Sequence, residues 1–309
     1  MKKVSICIGC YNEEGNVFEL YRRLTDVMEG LPQYEYEIIF EDNASTDNTQ
    51  NILRDIAAKD KRVKCIFNMR NYGVARSGRN CVYNASGDVV VSIVADLQDP
   101  PELIPELLKR WEEGNSMVLG VKTGTNDSGI KFKLRELYYK IIERFSEYPQ
   151  IKQYSGFGAV DRTVYEQIKQ CDERTTSFRH LLADLGYDYV LMPYQQEKRK
   201  SGKSSYNLWR SFDFSITSLV STSKMPIRAF TIGSSLGILF SVGLECILLP
   251  AGIFNRNKVI RRIRTKNEVF LLACLQMFIT SMVGEYTLEV VEKNRKRPLV
   301  IEKEKINFE

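Results

Sequence analysis

The chain has 309 residues, with 44 Lys or Arg, 39 Asp or Glu and a formal net charge of +5. This length leaves room for one large domain or two smaller ones, and so modest a charge gives no indication of nucleic-acid binding. Seven cysteines, an odd number, argue for a reducing compartment rather than a disulfide framework. The start is basic, but its apolar run is too short for a signal peptide, so the first domain is expected in the cytoplasm.

Strands and helices are predicted to alternate from residue 4 to residue 121. Short apolar runs rich in β-branched residues predict the strands, and apolar residues three or four positions apart predict helices between them. The predicted strands cover residues 4–10, 36–40, 63–67, 88–93 and 117–121. This alternation is typical of an α/β domain with a mostly parallel sheet and helices on both faces.

The next part of the chain is less regular. Residues 122–130 show no apolar period and are predicted to form a loop that closes over substrate. The following patterns predict a basic amphipathic helix at 131–145, a glycine-rich turn at 155–158 and a last strand at 189–192. We place the end of the first domain at residue 205.

Cys7 and Cys10 have the C-x-x-C spacing of redox-active thiols. Both lie in the first predicted strand, where residues three apart point to opposite faces of the sheet. We therefore expect two structural cysteines rather than a redox pair.

Two oxygen-bearing side chains, Asp96 and Gln98, follow the fourth predicted strand. In an extended backbone, residues two apart point the same way, so both oxygens can face one point. Mg²⁺ and Mn²⁺ prefer oxygen ligands, and open α/β sheets bind ligands at the carboxyl ends of their strands. The alternative is a polar turn between strand and helix with an aspartate cap, and this stretch alone does not decide between the two.

The composition changes near residue 197. A basic run at 197–206 leads into residues 206–228, whose helical apolar spacing suits a membrane surface or the surface of a soluble domain. Residues 229–254 are apolar and long enough to cross a bilayer, and residues 268–287 form a second apolar segment. The basic stretch between them opposes the positive-inside tendency, so their topology stays open. Residues 290–309 are expected to form a basic cytoplasmic tail.

Five short motifs, in order, resemble those of the family-2 glycosyltransferases, and more narrowly the GtrB-type polyprenyl-phosphate sugar transferases and dolichyl-phosphate mannose synthases. The motifs are Tyr11-Asn12-Glu13-Glu14, Asp42-Asn43-Ala44-Ser45-Thr46-Asp47, Ala95-Asp96-Leu97-Gln98-Asp99-Pro100-Pro101, Arg199-x-x-Gly202-x-Ser204-x-Tyr206, and Gly284-Glu285-Tyr286 with Arg297-Pro298-Leu299. The resemblance covers nearly the whole chain. It implies a GT-A fold with a Rossmann-like, mostly parallel sheet, followed by membrane segments.

The chain departs from the family pattern at four positions. Gly9 stands where the family has proline, and Asn43 and Ala44 replace an aspartate and a glycine of the second motif. Val94 replaces the first aspartate of the Asp-x-Asp metal motif. The remaining ligand pair then lacks a third side chain, which implies lower metal affinity or more coordination by the donor phosphates.

The resemblance also implies roles for individual residues. The nucleotide sugar would be bound by Tyr11, Asn12, Glu13, Asp42 and Asp96. Mg²⁺ or Mn²⁺ would be held by Asp96 and Gln98 and would offset charge on the leaving diphosphate. The acceptor phosphate would be bound by Arg199, Ser204, Lys122 and Arg135, and Asp96 and Arg199 would be the catalytic residues.

Other polar residues are expected to be structural. His180, the one histidine, lies in a helical run. Asp47, Asp99 and Asp161 are predicted to cap helices or turns. The phosphate of the implied acceptor is already anionic, so the reaction does not require a strong general base.

The implied function is inverting transfer of a sugar from a nucleotide sugar, by resemblance a UDP-sugar, to undecaprenyl phosphate at the cytoplasmic face of the inner membrane. Two alternatives stay open: addition of the sugar to a growing surface polysaccharide, and a nucleotide-sugar-binding homologue with weakened catalysis. The expected partners are the nucleotide sugar, the polyprenyl phosphate and the bilayer. Self-association stays open, no nucleic acid is expected, and the sugar is not identified.

Overall fold

A computed structural model describes residues 1–123, 151, 154–170, 178–197 and 298–308, with separate helical positions between 269 and 291. The chain divides into two compact units. The larger comprises Met1–Lys140, Tyr148–Leu208 and Lys296–Glu309, and the smaller Ile141–Glu147 and Trp209–Arg295. Every strand and helix given below belongs to the larger unit.

Most of the predicted membrane region, residues 206–289, is not among the described residues. The helix predicted at 131–145, the amphipathic segment 206–228 and the apolar segment 229–254 lie outside the described residues. Of the second apolar segment, only scattered helical positions are described. In the part of the chain that is described, no helix combines the length and the apolar character needed to span a bilayer.

Eight strands form one mixed sheet. They are β1 Lys2–Cys10, β2 Tyr34–Asp42, β3 Val63–Asn68, β4 Val89–Val94, β5 Met117–Lys122, β6 Tyr154–Asp161, β7 Tyr189–Tyr194 and β8 Glu302–Ile306, in the spatial order β7-β5-β6-β4-β1-β2-β3-β8. The pairs β1/β2, β1/β4, β2/β3 and β5/β7 are parallel. The antiparallel pairs involve β6 and β8. The predicted α/β class with a mostly parallel sheet is therefore confirmed.

Within the described residues of the larger unit, six helices cover the sheet. They are α1 Val17–Glu29, α2 Thr49–Lys59, α3 Val74–Tyr83, α4 Ile104–Glu112, α5 Arg162–Gln170 and α6 Phe178–Asp184, with a 3-10 turn at Pro101–Leu103 before α4. The helices form because their apolar residues recur at helical spacing. In α1, for example, the buried residues are Val17, Leu20, Leu24 and Met28.

The core has two layers, one on each face of the sheet. Side chains alternate along a strand, so Ile6 and Ile8 enter one layer while Cys7 enters the other. The first layer includes apolar residues of α1, α2 and α4, and the second includes residues of α3, α5 and α6. The strands are thus buried on both faces, as expected for parallel strands.

The first strand also decides the status of the two nearby cysteines. Cys7 and Cys10 are buried in opposite layers and are free thiols. Burial raises the pKa of Cys10 well above its usual range, and the nearby Asp42 carboxylate raises it further. The prediction that these residues are structural rather than a redox pair agrees with this geometry.

Two strands differ from the sequence prediction. Residues 155–158, predicted as a glycine-rich turn, belong to β6. The glycines there serve close packing: a Cβ on Gly158 would lie 2.5 Å from the carbonyl oxygen of Val118 on β5. The second is β8, which lies in the predicted tail 290–309 and pairs antiparallel with β3.

Candidate functional site

Several loops of the larger unit meet at one edge of the sheet. Strands β1, β2, β3 and β4 are parallel, so their carboxyl ends, at Cys10, Asp42, Asn68 and Val94, lie along the same edge. β6 is antiparallel to both β4 and β5, so β5 and its partner β7 also end at this edge. The edge therefore gathers most of the sequence-predicted site residues, as expected for an open α/β sheet.

The loops after β1 and β2 are joined by direct hydrogen bonds. Asn12 has a positive φ of 56°, and its backbone N–H donates to the Ser45 hydroxyl at 2.9 Å. The Asn12 side-chain carbonyl accepts a hydrogen bond from the backbone N–H of Thr46 at 2.8 Å. Asparagine adopts this backbone region more readily than most residues because its short side chain can bond locally. Asn12 thus holds the two loops in register.

Glu13 supports the same junction from inside. The residue is buried, and its carboxylate accepts a hydrogen bond from the Asn16 side chain at 2.5 Å. Its backbone N–H donates to the Thr49 hydroxyl at the start of α2, at 2.9 Å. These contacts bind Glu13 to the protein itself. Tyr11, its neighbour in the predicted donor set, is half-buried directly after β1.

Asp42 ends β2 and is fully buried. Its Oδ2 accepts hydrogen bonds from the backbone N–H of Ser45 at 3.0 Å and from the side-chain amide of Gln50 at 2.7 Å. The other oxygen, Oδ1, is buried and has no hydrogen-bond partner among the described residues. A buried carboxylate oxygen without a donor is costly, so Asp42 is fixed on one side and able to accept a hydrogen bond on the other.

Asn43 and Ala44, two of the departures from the family pattern, take part in this arrangement. The Asn43 amide donates to the Asn71 side-chain carbonyl at 3.0 Å, and its own carbonyl accepts from the Tyr72 backbone N–H at 2.9 Å. An amide supplies both a donor and an acceptor, whereas an ionised carboxylate only accepts. Ala44 has φ 62°, a region that glycine occupies at lower cost.

The geometry after β4 differs from the prediction. β4 ends at Val94, and Leu97, between Asp96 and Gln98, has φ 57°. The backbone is therefore not extended there, and the expectation that both side chains face one way for that reason is wrong. Instead the Asp96 carboxylate accepts the backbone N–H of Gln98 at 3.2 Å, which is a local turn contact. The Gln98 side-chain amide points to the carbonyl of Glu197, at 3.5 Å.

The donor set at this turn suits a hard cation only in part. Among the described residues no group of three His, Cys, Asp or Glu side chains could hold a metal ion. Asp96 is half-buried, and in the part of the chain that is described only its Oδ1 accepts a hydrogen bond, from the Gln98 backbone. The second Asp96 oxygen and the Gln98 side-chain carbonyl are oxygen donors of the kind that Mg²⁺ and Mn²⁺ accept. Two such ligands fit a cation whose remaining positions are filled by phosphate and water.

Asp99, which the sequence predicts to be a cap, is paired with a tyrosine of β7. It is buried, and the Tyr194 hydroxyl at the end of β7 donates to its carboxylate. Burial raises the pKa of Asp99, and the negative charge of Asp96 adds to this effect. The Tyr194 hydrogen bond and the positive charge of Lys122 oppose it. Lys122 is therefore within electrostatic range of Asp99, so one predicted acceptor residue does lie at this edge.

Sequence reasoning missed the Asp99–Tyr194 pair because nothing in the spacing of these residues links them. The two other predicted caps are confirmed. Asp161 accepts the backbone N–H of Thr163 at 2.9 Å at the start of α5, and Asp47 accepts that of Thr49 at 3.0 Å at the start of α2. The predicted acceptor residues Arg135, Arg199 and Ser204 lie outside the described residues.

Comparison with known proteins gives a consistent picture. The family model for glycosyl transferase family 2 matches residues 5–169. The bactoprenol glucosyl transferase of Shigella phage SfV is 30% identical over 305 residues, covering 97% of this chain and 97% of that protein. An uncharacterised glycosyltransferase of Synechocystis is 31% identical over 300 residues, covering 97% of this chain and 94% of that protein.

Among solved structures, S. aureus TarS 1-349 in complex with UDP is similar, with a TM-score of 0.46 and 17% identity, over 63% of this chain and 59% of that chain. The family model spans more than half of the chain, and the curated relatives align with nearly all of it. The described domain has the α/β architecture with a mostly parallel sheet that the sequence resemblance implies. The chain belongs to glycosyl transferase family 2 and is related to the bactoprenol glucosyl transferases.

Proposed function

We propose that this protein transfers a sugar from a nucleotide sugar to undecaprenyl phosphate at the cytoplasmic face of the cell membrane. The observation that carries the proposal is the similarity to a bactoprenol glucosyl transferase over 97% of both chains. The loops that meet at the carboxyl edge of the sheet supply a place for the donor. The transfer would proceed by in-line attack of the acceptor phosphate on the anomeric carbon, with inversion.

Asp42 is the donor-site residue with the strongest support from the structure. Its Oδ2 is held by Ser45 and Gln50, and its buried Oδ1 lacks a partner among the described residues. A ribose hydroxyl or a base N–H of the nucleotide would satisfy that oxygen. The desolvation cost of the unpaired oxygen would then be recovered when the donor binds. Asn12 and Glu13 would act indirectly, because their side chains join the loops on either side of Asp42.

A divalent cation fits the Asp96 turn as a shared ligand of protein and donor. Asp96 and Gln98 would hold it through one carboxylate oxygen and one amide oxygen, and the donor diphosphate and water would complete its coordination. Such a cation offsets the negative charge that develops on a leaving diphosphate. In this arrangement the Gln98 backbone N–H would hold the Oδ1 of Asp96, and its Oδ2 would bind the cation.

The acceptor side is supported by chain connectivity. The backbone N–H of Glu197, at the end of the described segment, donates to the carbonyl of Gln98 at 2.9 Å. Two residues later comes Arg199, which the sequence motif assigns to the acceptor phosphate. Lys122 adds a positive charge near Asp99 at the same edge. The acceptor phosphate is an anion at neutral pH, so these cations position it and no residue needs to take a proton from it.

A second candidate, a nucleotide-sugar-binding homologue with weakened catalysis, is favoured by one observation. Val94, at the position of the family's first metal-motif aspartate, is the last residue of β4 and is 37% exposed. With valine at this position, Asp96 is the single carboxylate at the Asp-x-Asp positions. Val94→Asp should lower the Mn²⁺ concentration for half-maximal donor turnover by about tenfold if one carboxylate ligand is missing. No change in Mn²⁺ dependence would argue against a cation at this turn.

The proposed reaction can be tested with membranes that contain the full chain. They are incubated with undecaprenyl phosphate and a panel of labelled nucleotide sugars, of which UDP-glucose is the first choice because the relatives are named glucosyl transferases. We expect label in the organic phase as a lipid-phosphate-linked sugar, released by mild acid. Label that enters only an extended water-soluble glycan would support the polysaccharide alternative instead. Asp96→Ala membranes are the matched control.

A further inference from the structure

Three large apolar side chains are exposed beside the carboxyl end of β3. Met69 is 59% exposed, Val74 66% and Ile301 54%. Met69 and Ile301 are direct neighbours, because the Met69 backbone N–H donates to the Ile301 carbonyl at 2.9 Å. Val74 is the first residue of α3, five positions after Met69. Single exposed apolar residues are ordinary, but two exposed apolar neighbours with a third close in sequence favour an interaction surface.

Two arginines and a tyrosine stand among these apolar residues. The Arg70 guanidinium lies 4.2 Å from the centre of the Tyr72 ring, and the Arg76 guanidinium lies 5.5 Å from it. Arg76 also donates to the carbonyl of Pro298 at 3.1 Å. We refer to Met69, Arg70, Tyr72, Val74, Arg76 and Ile301 as the β3 patch.

The carboxylate nearest to the β3 patch in sequence does not neutralise it. Glu302 follows Ile301 directly, but its side chain accepts a hydrogen bond from Asn80 at 2.9 Å and pairs with Lys305 at 2.9 Å. Arg70 is exposed, and within the described residues its guanidinium lies over the Tyr72 ring and donates to the Asn71 carbonyl. The patch therefore combines apolar side chains with positive charge.

The patch lies on the same edge of the sheet as the candidate site. The Tyr72 backbone N–H donates to the Asn43 side chain at 2.9 Å, and Asn43 is adjacent to Asp42. On the other side, Pro298 is three residues after Arg295, where the chain leaves the smaller unit. That unit contains the predicted membrane segments. In the sequence, the part of the β3 patch at Ile301 therefore follows shortly after the segment expected in the bilayer.

We propose that the β3 patch docks on the anionic headgroup surface of a lipid bilayer. Arg70 would pair with lipid phosphates, the Tyr72 ring would lie at headgroup level, and Met69, Val74 and Ile301 would enter the boundary with the acyl chains. This inference rests on the proposed function, since it brings the donor edge of the sheet to the surface that holds the lipid phosphate. The negative charge of the headgroups is complementary to the positive charge of the patch, and the acyl chains below them are complementary to its apolar side chains. This combination favours a bilayer over a protein partner.

The test uses the full chain reconstituted in vesicles of phosphatidylglycerol and phosphatidylcholine. A polarity-sensitive fluorophore is attached at Met69→Cys, and its quenching by headgroup-level spin-labelled lipid is measured. Lys59→Cys is the matched control, because Lys59 is exposed at the end of α2, near the amino end of β3 and so at the opposite edge. Labelled wild-type chain corrects for the native cysteines. We expect about twofold or greater quenching at position 69 relative to position 59.

Charge reversal tests the electrostatic part. In the Met69→Cys background, Arg70→Glu should reduce the ratio of docked to undocked protein by on the order of tenfold, since each charge near an anionic surface contributes about fivefold. Lys59→Glu makes the same charge change at the opposite edge and should have no effect. Replacing phosphatidylglycerol by phosphatidylcholine should also reduce quenching at position 69.

Three results would overturn the proposal. They are equal quenching at positions 69 and 59, quenching at 69 that does not respond to Arg70→Glu, and a probe at 69 that is shielded from an aqueous quencher in the vesicles but is not quenched by the spin-labelled lipid, which would indicate a protein partner or a second copy. Donor turnover in detergent is measured in the same preparations. Turnover without quenching would refute docking alone, whereas quenching without sugar transfer would refute the proposed reaction and leave docking intact.

Discussion

The backbone N–H of Glu197 donates a hydrogen bond to the carbonyl of Gln98 at 2.9 Å, and the Gln98 side chain reaches back to the carbonyl of Glu197 at 3.5 Å. Glu197 is also paired with Arg23 of α1 at 3.3 Å, and Arg23 binds Glu102 at 2.6 Å. The turn that carries Asp96 and the segment that continues into Arg199 are thus held together. This contact joins the motif assigned to the donor with the segment that precedes, in sequence, the motif assigned to the acceptor.

Arg199→Ala should impair use of the lipid acceptor more than binding of the donor. A phosphate pairs strongly with a guanidinium, and loss of one such charged hydrogen bond corresponds to about a tenfold or greater rise in the acceptor KM. Lys200→Ala is the matched control, since it removes a positive charge one residue away, and its effect should stay below about twofold. The KM values for acceptor and donor are measured separately. Equal effects on both substrates would refute the role of Arg199.

Asp96→Ala should abolish most turnover while the fold persists. Loss of a group that stabilises developing charge reduces kcat by about 10²- to 10³-fold. Among the residues that the structure describes, Asp96 makes one hydrogen bond, with the Gln98 backbone, so the midpoint of thermal unfolding should change little. Asp161→Ala should show the reverse pattern, because Asp161 lies at the opposite edge of the sheet and accepts the backbone N–H of Thr163 at the start of α5, a cap that contributes about 1 kcal/mol to stability. Unchanged turnover in Asp96→Ala would refute the assignment.

Asp42→Asn should weaken donor binding. Among the described residues, the Oδ1 of Asp42 has no hydrogen-bond partner. The substitution replaces one of the two accepting oxygens by an NH₂ group, which can only donate. A hydrogen bond to a charged group contributes about 1.5–3 kcal/mol, so the Kd of the nucleoside diphosphate should rise about 10- to 100-fold. Calorimetric titration measures this.

Gln50→Ala is the control for Asp42→Asn, because it removes only a hydrogen bond to Oδ2. It should lower stability by about 1 kcal/mol and change the Kd less than Asp42→Asn does. If Asp42→Asn and Gln50→Ala change the Kd of the nucleotide by the same factor, Asp42 only supports the loop. If Asp42→Asn alone loses affinity, its Oδ1 contacts the donor.

The strands that carry the site can be predicted from the sequence, because strands buried on both faces appear as short, continuous runs of apolar residues. It failed where contacts between distant residues decide the structure. β6 was mistaken for a turn because its glycines are required by the backbone of β5, which no local pattern reveals. β8 has only charged residues before Ile306 and is a strand because β3 offers it an edge. The extended geometry assumed for Asp96 and Gln98 was lost through the positive φ of one residue, Leu97.

The stability of the domain should fall as the pH rises from about 5 to 8, because of Glu41. Glu41 is fully buried, and burial raises its pKa from 4.5 to about 8 in the folded state. Hydrogen bonds from the side chains of Asn68 and Asn80 oppose this shift, and the nearby Glu302 carboxylate adds to it.

Between these two pKa values the folded chain holds a proton that the unfolded chain has released. The free energy of unfolding therefore decreases as pH rises, by at most about 1.4 kcal/mol per pH unit, and levels off above the folded pKa. Glu41→Gln mimics the protonated acid and should flatten this dependence. Glu35→Gln, at an exposed position of the same strand, is the control and should leave the slope as it is. Denaturant unfolding of both variants from pH 5 to 8.5 measures the slopes, and identical slopes would show that Glu41 titrates normally in the fold.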